Sequence, residues 1–343
     1  MQHEIFRRHD LLRPNGTLWE AGYATSPVLT YDRSKIRAGK LQIKEWDSYL
    51  ILSPDFALEL TVGDNSYMGF ERIALMDFKK TWQHTKSSVH LFPMGSTDMP
   101  SSSECGDAES FRRNHFLCFR KEFERRYLRF RMERFCSGQP VEGELSLTEP
   151  EGDSMVLAVP FDEDPFGFYY NQKICGMPAE GEVTFQDQTY RFEPSTSFAI
   201  LNWGRGVWPR RSSWYWAGTF GVLDEIPFAF NIGYGYGNDA EATENMLFYN
   251  RKAHKLSHVT FNIPTSNGRD NYMEPWFFTS DDERFKMIFH PILDCGSKTG
   301  FAFRKSRRHQ VFGHFTGRVT LDDGTVLNIK NFLGVAEKVF NKW

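Results

Sequence analysis

Two carboxylates and one tryptophan-rich stretch hold the chemistry that this sequence offers. Glu244 closes the segment NIGYGYGNDAEATEN, and Asp47 lies in KEWDSY. A carboxylate set among aromatic side chains acts as a general acid when burial raises its pKa. Taken as a pair, Asp47 and Glu244 could instead flank a glycosidic bond. A separation of about 5 Å would then mean retention and about 6.5–9.5 Å inversion. The plainer alternatives are a turn residue paired with arginine for Glu244 and a barrel-interior ion pair for Asp47. Between them in the chain, LNWGRGVWPRRSSWYW (201–216) holds four of the nine tryptophans. As an extended strand it points Asn202, Gly204, Gly206 and Trp208 to one face and Trp203, Arg205 and Val207 to the other. Glycine inside a strand marks either tight packing or the close approach of a ligand, and both readings stand here. In the second glycine-rich strand, Asn231, Gly233, Gly235 and Gly237 share one face, and Ile232, Tyr234, Tyr236 and Asn238 the other.

Other familiar catalytic patterns are missing from the sequence. There is no GxGxxG before a helix, no P-loop, no HExxH and no GxSxG. His309 and His314 in HQVFGHF fall on opposite faces of a strand, so they are not expected to form a metal pair. As a structural residue His309 would simply be hydrogen-bonded; acid/base use would need a carboxylate or tyrosine beside it. The five cysteines, Cys105, Cys118, Cys136, Cys175 and Cys295, are scattered and contain no CxxC. Neither a disulfide framework nor a zinc site is expected, and no metal or nucleotide cofactor is implied.

The elements that must position these residues read as strands. LQIKEWDSYLILS, FALELTVGD, GEVTFQDQTYRF, HVTFNI, RFKMIFHPI and GRVTLDDGTVLNI alternate over short lengths between turn residues. The last contains Asp-Gly hairpin chemistry. FLCFRKEFERRYLRFRMERF fits helical and strand spacing alike, and its interleaved charges favour a long strand pair with a solvated face. The Ser-rich stretch 94–110 reads as a mobile loop, or a lid. EPWFFTSDDERFKMIFHP supplies Trp276, with Asp281 and Asp282 as turn residues. The expected fold is all-β, with β-barrel or sandwich domains at 1–160 and 161–343. The chain of 343 residues is 40% hydrophobic and 16% aromatic with a net charge of −3. A nucleic-acid binder would more often carry a basic excess. The N-terminus lacks an apolar signal core and no apolar run is long enough to span a bilayer, so a cytoplasmic protein is expected.

FYYNQK (168–173), NWGRGVWP (202–209), WYW (214–216), GYGYG (233–237), ATEN (242–245), EPW (274–276), HQVFGHFTG (309–317), GVAEKVFNKW (334–343) and KEWD (44–47) together resemble a family known as domain of unknown function 2804. More distantly, residues 168–237 are similar to the AttH-like and carotenoid 1,2-hydratase group and to fungal lipocalin-like cyclases. That similarity implies two lipocalin-like domains with an aromatic-lined cavity. In the hydratases an aspartate aligned with Asn202 would protonate an alkene. Asparagine cannot, which leaves Glu244 or Asp47 as candidate donors, or no donor at all.

Three functions follow. The first is an acid/base hydratase, lyase, isomerase or cyclase acting on an isoprenoid- or polyketide-like substrate. Glu244 would be its acid/base, Arg205 would hold an anionic group, and Asn202 and Tyr170 would orient the substrate. Trp208, Trp214 and Trp216 would line the pocket, with Asn171, Tyr236, Trp276 and His309 completing it. The second is a glycoside-processing enzyme using Asp47 and Glu244, with sugars stacked on tryptophan. The third is a carrier of an apolar ligand. The expected partner in each is a small molecule, not a nucleic acid.

Overall fold

The computed structural model describes residues 2–301 and 304–342. The protein is all-β, built from two curled half-barrel sheets like those of lipocalin-type domains. Among the described residues the first sheet has 13 strands and the second 10. The strand Asp164–Phe185 runs through the middle of the first sheet. It pairs with Met155–Phe161 and Phe198–Val207 over its first half and with Gln139–Thr148 over its second. Phe198–Val207 in turn pairs with Ile43–Ser53. Residue 160 lies inside the strand Met155–Phe161, whose neighbour on the far side of the expected boundary belongs to the same sheet. The chain changes sheet later, between Val207 and Arg211. Among the described residues no helix is long and apolar enough to cross a membrane.

The local signals explain the elements. The Arg-rich segment forms the antiparallel pair His115–Glu122 and Arg125–Cys136, with Arg129 and Arg131 facing Glu144 and Glu142 on the outer surface. The Asp-Gly turn joins Arg304–Thr320 to Val326–Lys342 in a hairpin. Strand alternation then divides the apolar residues into three clusters. Leu58, Leu60, Phe130, Phe168 and Trp203 fill the curl of the first sheet. Phe230, Trp276, Phe285, Phe289 and Phe315 fill that of the second. Leu50, Met155, Ile200, Phe220, Phe248 and Phe312 lie between the sheets. Large phenylalanines fill each curl, which accounts for their abundance.

The interior of the first sheet also holds a buried charged cluster. Arg205 is fully buried. Its Nη2 lies 2.9 Å from an oxygen of Asp47. The guanidinium donates to the carbonyls of Trp46, Gly204 and Pro100 and sits 4.2 Å from the centre of the Trp203 ring system. Glu45 accepts from the Tyr31 hydroxyl at 2.8 Å and from Arg33. Burial raises the Glu45 pKa against the lowering effect of Arg205 and Arg33. Pro100 belongs to the stretch expected to be a mobile loop or lid. Instead Met99 is buried, Ser103 bonds Gln172, and Arg126 donates to the Ser103 carbonyl at 2.7 Å. The segment plugs the first sheet because two buried arginines need its carbonyls.

Removing one partner of a buried ion pair leaves the other uncompensated and costs about 3–5 kcal/mol. Arg205→Met should therefore lower unfolding free energy by roughly that amount. Asp47→Asn in the same chain should recover part of the loss. Urea denaturation of the three proteins measures both.

Candidate functional site

Alternation and register together build a polar row on the face of the first sheet that meets the second. Lys173, Asn202, Ser48, Thr61 and Arg72 lie opposite one another on successive strands. The next row holds Asn171, Gly204, Trp46 and Gly63. Across from them, the second sheet presents the row Gly233, Trp216, Glu337 and Gln310, with Asn231 and Gly218 beside it.

The two faces are joined by charge at both ends of the row. At one end the Lys173 ammonium pairs with the Glu244 carboxylate and lies 5.1 Å from the centre of the Trp216 ring system. Lys173 and Glu244 are both buried. Asn231 Nδ2 donates to the Glu244 carboxylate at 3.0 Å and to its main-chain carbonyl at 2.8 Å, while Asn231 Oδ1 accepts from Trp216 Nε1 at 2.7 Å. At the other end Arg308 makes a two-pronged contact with Glu59, at 2.9 and 3.1 Å, and a third with Glu337 at 3.0 Å. Burial alone would raise the Glu59 pKa, but Arg308 and Arg72 bring it below the usual value. Burial lowers the Arg72 pKa, and the charge of Arg308 adds to that. Between the ends, Ser48, Asn202, Trp46 and Trp214 stay partly exposed.

The glycines have a definite use. A Cβ on Gly204 would lie 2.4 Å from the Trp46 indole, and one on Gly233 2.4 Å from Glu244 Oε1. The bare strand surface is thus already occupied by Trp46 and by the Glu244 carboxylate. The aromatic side chains pack edge to face. Trp46 and Trp208 are 4.8 Å apart, Tyr169 and Tyr236 4.7 Å, and Trp214 and Tyr236 4.9 Å between ring centres. Burial raises the Tyr169 pKa well above its ordinary value, and the charges of Glu244 and Glu337 add to this. Asn171 donates to Asn202 Oδ1 at 2.8 Å and to the Trp203 carbonyl at 2.7 Å, leaving its own buried Oδ1 without a partner.

The residues expected to form one site fall into three compartments. Glu244, Asn202, Asn171, Trp208, Trp214, Trp216 and Tyr236 meet between the sheets. Tyr236 reaches this side because the strand ends at Tyr234, and positive φ at Gly235 and Gly237 turns the chain back. Asp47, Arg205 and Tyr170 face the interior of the first sheet. Tyr170 donates to the Leu29 carbonyl at 2.9 Å and lies edge-on to Trp203, so its neighbour Tyr169 is the one that faces the site. Trp276 and His309 belong to the second sheet's interior. Trp276 Nε1 donates to the Tyr272 carbonyl at 3.1 Å. His309 stacks 3.9 Å from Tyr272 and contacts Asp294 at 2.9 Å. Backbone separates Asp47 from Glu244, because Asp47 pairs with Arg205 on one face of the first sheet and Glu244 meets Lys173 on the other. A glycosidic bond cannot sit between them, which removes the two-carboxylate arrangement. Lys173, Glu59, Arg308 and Glu337 were not anticipated, and Asn231 was read only as part of a glycine-lined strand face. The NQK sequence was visible, but nothing local paired Lys173 with a carboxylate 71 residues away. Among the described residues no group of three or more His, Cys, Asp or Glu is placed to hold a metal ion.

The family model for a domain of unknown function, DUF2804, matches residues 2–343. The chain belongs to the DUF2804 family. No curated protein sequence matches it. Solved structures that share the fold of this DUF2804 protein include the following two. An AttH-like protein from Nitrosomonas europaea superposes with a TM-score of 0.58 at 10% identity, covering 92% of this chain and 98% of its own. A kievitone hydratase from Nectria haematococca superposes with a TM-score of 0.52 at 12% identity, covering 98% of both chains.

Beside Glu244, Lys255 is wedged against the Tyr23 ring and donates to Thr243, Asn245 and Leu256 at 2.9–3.0 Å. Burial pushes its pKa down to about 7, although the charges of Glu244 and Asp282 oppose this. The unfolded chain keeps this lysine protonated up to about pH 10.4, so between about pH 7 and that value the unfolded state binds the extra proton. The Lys255 contribution therefore makes stability rise with pH across that window. Lys255→Met should flatten the rise, as read from denaturation midpoints at pH 7, 8.5 and 10.

Proposed function

We propose that this DUF2804 protein is an acid/base enzyme acting between its two sheets, with Lys173 and Glu244 as the proton-transferring pair. The observation that supports it is a buried ammonium and carboxylate in contact, set beside Trp216 and three asparagines. An ammonium has a proton to give, and a carboxylate has lone pairs to receive one. Hydration of a double bond, its reverse elimination, and migration of a double bond each need one proton delivered and one removed. The indole faces of Trp46 and Trp216 favour positive charge developing on carbon. Asn202 uses its Oδ1 to accept from Asn171 and Trp46. Among the described residues its Nδ2 makes no hydrogen bond, so it is placed to donate to a substrate oxygen.

The reaction class is hydratase, lyase, isomerase or cyclase, on an isoprenoid- or polyketide-like molecule. The fold shared with a protein named as a hydratase favours hydration and elimination among these. Lys173 takes the role that the sequence had offered to Asp47, and Arg205 acts only as a strut of the first sheet.

Glu244→Gln keeps the shape and removes the base. Turnover on a panel of conjugated polyenes and alkenyl phenols, monitored by mass change, should fall by about 10²–10⁴-fold. Affinity for the retained substrate should stay within about tenfold. Undiminished turnover in Glu244→Gln and Lys173→Met alike would show that the pair serves only to fasten the sheets.

A further inference from the structure

The strand face that carries Lys173 continues to Cys175, and the face that carries Asn231 continues to Ala229. Two residues of extended strand cover about 7 Å. Beside Cys175 and Ala229 the sheets part around a cavity of about 190 Å³, lined also by Phe198, Pro227 and Phe248. The exposed residues Glu151, Ser195 and Arg251 stand at the same opening. The space exists because the long strand bulges between Cys175 and Met177. Gly176 takes a φ of +79° there, and a Cβ on it would touch only Phe220, at 3.9 Å.

We propose that this cavity is the subsite for one uncharged group of the substrate, a single ring or a short branched hydrocarbon, which holds the reacting carbon at Lys173 and Glu244. The location of the reacting carbon rests on the acid/base reading above; the binding of the apolar group does not. Size sets the class. A dry cavity of about 150 Å³ admits benzene, so this one takes about seven or eight non-hydrogen atoms by the same measure. A whole drug-sized ligand needs about 300 Å³ or more, so the remainder of the substrate must lie outside, toward the pair or the opening. Cys175, Phe198, Pro227, Ala229 and Phe248 form an apolar wall; besides Glu151 and Arg251, the charged lining residue is the half-buried Asp153, whose carboxylate accepts from the Ala253 amide at 2.8 Å. Burial pushes the Cys175 thiol up to about 12, so it presents a neutral surface, and the charges of Lys173 and Glu244 both act on it. That electrostatic contact agrees with the spacing along the strand.

The probe is 3-phenylpropanol, whose six-carbon ring is within the size that a cavity of about 190 Å³ takes. Calorimetry should show saturable binding to the full chain, weakened at least tenfold by Cys175→Phe. Should Cys175→Phe not fold, the wild-type protein still decides the matter. Methyl methanethiosulfonate should modify Cys175 at least fivefold more slowly with the probe present, as followed by peptide mass. No binding by the wild type, unweakened binding by a folded Cys175→Phe, or an unchanged Cys175 modification rate would overturn the proposal. A failure of the acid/base reading looks different: Glu244→Gln would keep its turnover while the probe still bound.

Discussion

Everything in this molecule depends on two sheets packing face to face while both buried faces carry ionised side chains. A charge withdrawn from water between sheets must find an opposite charge. Lys173 on the first sheet finds Glu244, in the segment that leads into the second sheet's strand Met246–Tyr249. Arg308 on the second finds Glu59 on the first and Glu337 on its own sheet. Sliding one sheet over the other by a residue pair would separate both sets at once. Apolar contacts such as Phe312 against Phe78 tolerate such a shift far better. The ionic contacts therefore act as the pegs that set the mutual position of the sheets, with the apolar cluster supplying most of the attraction.

The same requirement explains where the glycines sit. A carboxylate that must reach across to a lysine needs room beside the strand it crosses, and Gly233 leaves that room for Glu244. An indole lying flat over the first sheet needs a neighbour without a side chain, and Gly204 is that neighbour for Trp46. Of the two readings of glycine in these strands, close packing of a large or charged side chain is the one that holds. The consequence for function is indirect: each glycine positions a residue that faces the site.

Three polar constellations coexist and are kept apart by β-sheet. Arg205 with Asp47 and Glu45 organises the plug inside the first sheet. Lys338 and Tyr272 both meet Asp270 inside the second, where His309 stacks on Tyr272 and contacts Asp294. Lys173, Glu244 and Asn231 lie between the sheets, next to partly exposed Trp46 and Asn202 and close to a cavity. The third combines titratable groups, hydrogen-bonding amides and adjoining space, which is why the functional reading is placed there.

Much of this was legible in the sequence. Alternation identified the strands, the Asp-Gly hairpin and the all-β class. It also put Asn202, Gly204, Gly206 and Trp208 on one face, and Trp203 and Arg205 on the other, as the structure has them. Those are local facts, decided by the two-residue period of an extended chain. Alternation cannot say which face meets which other face. Asp47 and Glu244 looked equivalent as carboxylates, yet one closes an ion pair inside the first sheet and the other meets Lys173 between the sheets. Tyr170 and Tyr169 differ by one residue and point to opposite sides. The loop at 94–110 looked free because its anchors, Arg205 and Arg126, are distant in sequence. Local spacing settled the elements and the side of each residue; long-range strand pairing settled which residues share a compartment. The reason is that burial and charge pairing are properties of the space between elements, and that space exists only once the sheets have closed on each other.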